Sequence, residues 1–218
     1  MTKATVLGSA RAAIVRPALV FALAAVVACG GGGATSSGSS GQAKAREAGG
    51  PIDLGRHTYK VTTSSAEAQR AFDRGLTLAY GFSHGAAEKR FRRAAALDPT
   101  CAMAWWGVAL VNGPHINFPM VPPDKAKIAW EALAKARALA PGAGETERAL
   151  IDALGKRYAN PQPEDRGPLD RAYADAVRAV WKAHPQDADV ATLYAEALMD
   201  LHPWDLWTPD GKPKTDEE

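Results

Sequence analysis

Cysteine is almost missing from this 218-residue chain, which has only Cys29 and Cys101. A disulfide framework is therefore excluded, and so are the Cys-x-x-Cys pairs of redox and zinc sites. Long apolar runs are scarce as well. The run Pro17–Ala28 has twelve residues, which rise about 18 Å as a helix, short of the roughly 30 Å hydrocarbon core of a bilayer. Neither charge sign dominates: there are 26 basic and 24 acidic side chains. No Gly-x-Ser-x-Gly elbow and no phosphate-cradling glycine loop is present, and Glu145, Glu147, Asp165 and Asp170 are scattered. Neither enzyme activity nor a cofactor is expected from such a chain. No basic face carries interleaved aromatics, so a nucleic-acid partner is not expected either.

What is present begins with an address. Residues 1–28 hold Lys3, Arg11 and Arg16, no acidic residue, and then the apolar run. This is the composition of a secretion signal. The run ends Val26-Val27-Ala28-Cys29-Gly30, which resembles the bacterial lipobox. That resemblance implies cleavage before Cys29 and lipidation of Cys29. The mature chain would then carry 23 basic and 24 acidic side chains. It would be held on the cell membrane or outer membrane, facing the periplasm or the exterior. Residues 29–50 are mostly Gly, Ser and Ala. They cannot bury enough apolar surface to offset ordering entropy, which predicts a disordered, flexible tether. Cys101 is left without a disulfide partner and is expected to be a small buried apolar residue.

Residues 51–63 include Thr58-Tyr59-Lys60-Val61-Thr62 and read as an extended lead-in or a short strand. From Ser64 the apolar period becomes helical, with Ser64 and Glu67 at capping-box spacing. Gly and Pro then divide the chain into seven helices: from Ser64 to Gly81, then about 85–97, 100–112, 124–140, 145–158, 169–183 and 188–201. Residues 64–207 form the predicted helical domain, and 208–218 a polar tail and possible truncation point.

The second helix of each pair repeats one spacing. Ala87, Phe91, Ala94 and Pro99 recur as Ala129, Leu133, Ala136 and Pro141, and again as Tyr173, Val177, Val180 and Pro185. Small residues Gly75, Ala109, Ala149 and Ala195 mark the first helices. Small residues let backbones approach, and a bulky apolar neighbour fills the adjoining groove. With this pattern the chain resembles the tetratricopeptide repeat (TPR) family. The resemblance implies an all-α solenoid of helix–turn–helix repeats that holds a partner protein or peptide. By repeat position, Trp105 should pack between the helices of its unit. Gln69, Phe72, Met103, Trp106 and Glu196 should face a concave groove, with Phe72 and Trp106 as anchors; the alternative place for them is the core between repeats. The function so implied is a membrane-anchored protein-interaction scaffold. One alternative is a copper-type soft-metal site using His84, Cys101, Met103, His115 and Met120. Another is an accessory domain of a longer protein. The loop Asn112–Met120 is long for a helix connection.

Overall fold

Serine, aspartate, glycine and proline set where helices begin and end in this chain. The computed structural model of the protein describes residues 53–214. The expected signal segment, Cys29, the tether and residues 215–218 lie outside the described residues. Seven α-helices occur among the described residues: α1 Ala66–Tyr80, α2 His84–Leu97, α3 Ala102–Leu110, α4 Pro123–Leu139, α5 Glu145–Leu154, α6 Gly167–Ala183 and α7 Ala188–Met199. No strand is formed there. The lead-in is extended but pairs with helix side chains and not with another strand.

Local chemistry accounts for the boundaries. Ser65, one residue later than expected, caps α1 by accepting a hydrogen bond from the Ala68 amide at 3.1 Å. Asp187 caps α7 through the Asp189 and Val190 amides. Prolines at 123 and 168 open α4 and α6, where an amide donor is not needed. Asp98 ends α2. Its carboxylate takes hydrogen bonds from Thr100 and Thr63, which hold it below the usual carboxylate range.

Packing follows chain order. α1 packs on α2, α2 on α3, α3 on α4, α5 on α6 and α6 on α7, while α3 also meets α1 and α5. One aromatic organises the first three helices. Phe91 is fully buried, its ring centroid 5.4 Å from that of Phe72. It lies against Gly75 of α1 and Gly107 of α3. A Cβ would come within 2.7 Å of the Phe91 ring at Gly75 and within 2.5 Å at Gly107. The glycines let three backbones converge on one ring.

The lead-in is clamped across these helices. The Gln69 side chain accepts from the Val61 amide at 3.1 Å and donates to the Tyr59 carbonyl at 2.7 Å. Glu147, at the start of α5, accepts from the Thr62 amide at 2.6 Å. Val61 is buried with the core. His57 and Tyr80 both reach Asp189, at 2.9 and 2.7 Å, so the lead-in and the end of α1 are tied to the start of α7.

Candidate functional site

The C-terminal ends of α1 and α3 meet α7 around a half-open cavity of about 300 Å³. Ala79, Tyr80, Phe82 and His84 line it from the α1–α2 turn, and Leu110, Val111, Pro114 and His115 from the end of α3 and its loop. Arg157, Thr192, Leu193, Ala195, Glu196 and Met199 complete the wall. Its size and apolar lining with few polar groups suit a ligand or an anchoring side chain. A broader and more open depression of about 940 Å³ lies along the lead-in and the start of α5.

Two strained or tight turns build the cavity. Phe82 adopts a left-handed backbone with φ of 54°, a rare state for a bulky residue. It is held there by its own amide to Ala79 and by the Ser83 amide to Leu78. Its half-exposed ring sits 6.0 Å from both His84 and His115. In the loop after α3, His115 and Phe118 exchange two backbone hydrogen bonds, 3.2 and 2.7 Å long. Gly113 makes room beneath for the Tyr158 hydroxyl, which donates to the Ala109 carbonyl.

His84 and His115 stand perpendicular, centroids 4.2 Å apart. Burial lowers His84 to about 4, with His115 adding to the effect and Arg157 and Lys125 contributing. Burial, then Arg157, also lowers His115. Both imidazoles are therefore neutral at pH 7, and the His115 Nδ1 is buried without a hydrogen-bond partner. The unfolded chain takes up these protons near pH 6.5, before the native state does. Stability is therefore expected to rise with pH through this window and to fall as pH drops from 6.5 towards 4. Urea unfolding at pH 7 and pH 5 checks this; His84→Gln should reduce the difference.

Arg157, just after α5, is 1 % exposed. Its guanidinium is in tight contact with Asp200, lies 3.8 Å from Glu196 and stacks over the Tyr173 ring at 4.5 Å. No motif marks Arg157 in the sequence. The readable signal was on the other side: Glu196 and Asp200 lie four apart, on the last turn of α7 and at its C-cap, one turn from each other on the same side.

No known protein family, curated protein or solved structure matches this chain. Its site is read from its own residues.

The expected groove residues separate. Phe72, Met103 and Trp106 are 0, 1 and 2 % exposed, which overturns their placement in a groove and puts them in the core, the alternative place for them. The Trp106 Nε1–H donates to the Leu150 carbonyl of α5 at 3.2 Å, whereas Trp105 is half-buried under the Lys135 ammonium. Every residue of α3, Ala-Met-Ala-Trp-Trp-Gly-Val-Ala-Leu, is apolar or glycine. No polar face fixes its rotation in the sequence. Gln69 is taken by the chain's own lead-in. Of the five, only Glu196 reaches the cavity.

The soft-metal set separates as well. His84 and His115 come together, but Cys101 is buried at the opposite end of α3, about 13 Å away along a nine-residue helix. Met103 is in the core beside that end, and Met120 is exposed and off the cavity wall. Among the described residues no group of three His, Cys, Asp or Glu is placed to hold a metal. No helix among them is long and apolar enough to cross a membrane.

Proposed function

We propose that this chain is a membrane-anchored, TPR-like scaffold of the bacterial envelope that holds a partner protein by one apolar anchor side chain. The observation that carries the reading is the half-open apolar cavity between α1, α3 and α7, with Phe82 and Phe118 exposed beside its two histidines. Its volume suits a single aromatic or branched aliphatic side chain, and its imidazoles are uncharged. Packing in chain order, with a small residue against a bulky one at Gly75 and Phe91, supports the solenoid reading. The lipobox-like Val26–Cys29 supports anchoring through Cys29. The scaffold works passively: a rigid cavity lowers the ordering cost of binding a segment.

A pull-down from detergent-solubilised membranes tests this. One partner at fixed stoichiometry is expected, and Cys29→Ser should move the protein to the soluble fraction. No stoichiometric partner would refute the scaffold, and full membrane retention of Cys29→Ser would refute the lipid anchor.

A further inference from the structure

The mature chain is nearly neutral, yet its charge is not evenly spread. Helices α1 and α2, residues 66–97, carry six basic and three acidic side chains, while the whole from Cys29 onward carries 23 and 24. Four of the six, Arg70, Arg74, Arg90 and Arg93, line one depression of about 190 Å³ between α1 and α2, with Glu67, Ala71 and Leu97. All four arginines are exposed. Among the described residues only Arg70 has an acidic partner, Glu67, at a loose 4.0 Å. Of the other two basic residues, Arg92 pairs with Glu88, and Lys89 lies exposed beside Arg90.

Like charges at i, i+4, as in Arg70 and Arg74, destabilise a helix by a few tenths of a kcal/mol. Four exposed guanidinium groups around one depression, three of them without an acidic partner among the described residues, make a focused positive potential. Guanidinium forks match phosphate oxygens in geometry as well as charge. The face holds no aromatic on which a base would stack, which disfavours nucleic acid.

We propose that Arg70, Arg74, Arg90 and Arg93 dock the α1–α2 face on an anionic phospholipid surface. The occupant is set by charge complementarity and, resting on the lipid anchor proposed above for Cys29, by the membrane that such an anchor would bring to the domain. Docking fixes the orientation of the scaffold and leaves the cavity, built from α3, α7 and the α1–α2 turn, for a partner. The docking does not depend on there being a partner.

Vesicle co-sedimentation tests it with the full chain as Cys29→Ser, so that no lipid on Cys29 holds the protein. Vesicles of phosphatidylcholine alone are compared with vesicles containing 30 % phosphatidylglycerol. Each basic residue near an anionic surface contributes about fivefold. A preference for the anionic vesicles is expected that is at least about 25-fold greater in this protein than in its Arg74→Glu/Arg93→Glu form, with unchanged binding to phosphatidylcholine. Both proteins share the basic N-terminus, so its contribution cancels. Equal preference in the two proteins would overturn the proposal. So would loss of the preference with inorganic phosphate at an ionic strength where chloride leaves it intact, since that marks a discrete phosphate site. Circular dichroism of the double variant should match the parent; if it does not, Arg90→Gln/Arg93→Gln is the substitute and is held to the same outcomes.

Discussion

Phe91→Ala is expected to lower the free energy of unfolding by about 3–5 kcal/mol. The side chain is fully buried, touches Phe72, and fills the space left by Gly75 and Gly107. Backbone on both sides of the ring is fixed by three helices, so the void cannot close by a rotamer change. For a domain of this size the midpoint of thermal unfolding should fall by roughly 6–20 °C. The reciprocal change is Gly107→Ala. Alanine normally favours a helix over glycine by about 1 kcal/mol. Here its Cβ would lie 2.5 Å from Phe91, and overpacking should turn the gain into a loss of about 1–3 kcal/mol. Phe91→Leu combined with Gly107→Ala should be less damaging than the sum of the two, since each relieves the other. Chemical denaturation of the four proteins gives the cycle. A loss below 1 kcal/mol in Phe91→Ala, or strict additivity in the double variant, would contradict this packing.

Arg157→Ala is the second large effect, again about 3–5 kcal/mol. Arg157 faces Asp200 and Glu196 and covers the Tyr173 ring. Burial pushes the Asp200 carboxyl up to about 8, and the guanidinium opposes that shift. Removing Arg157 leaves only the influences that favour the protonated acid. The loss should therefore be greater at pH 8 than at pH 5, where the carboxyl can stay neutral. Arg157→Met with Asp200→Leu removes charges from both sides and should recover most of the loss. Urea unfolding at the two pH values measures both effects. A penalty independent of pH, with no recovery in the double substitution, would show that Arg157 matters only through its volume.

Residues with strong local preferences were legible before the structure. Gly81, Asp98-Pro99, Pro141 and His184-Pro185 each lie at or next to a helix end. Phe91, Ala94, Leu133, Ala136, Tyr173 and Val177 are buried where the recurring spacing put them. What escaped depends on partners distant in sequence. Nothing in α3 reveals which tryptophan turns inward, because the choice rests on a carbonyl 44 residues away, at Leu150. Gln69 looked like a groove residue because the sequence does not show that residues 59–61 would fold back on it. The left-handed Phe82 carried no signal in the sequence: the neighbouring glycine that ends the helix, Gly81, keeps a φ of −83° and leaves the reversal to Phe82. The cavity was not legible: the length of the Asn112–Met120 loop marked that segment as unusual, but the meeting of its His115 with His84, Arg157 and α7 is a property of the stack.

The most direct test is to fill the cavity without disturbing its walls. Ala195 is exposed on α7 and lines the cavity, so Ala195→Trp places an indole in the space assigned to the partner's anchor. Recovery of the stoichiometric partner from membranes should fall at least tenfold with the melting temperature unchanged, while Gln69→Leu, acting on the lead-in, should keep the partner. Undiminished recovery with Ala195→Trp would contradict recognition through this cavity.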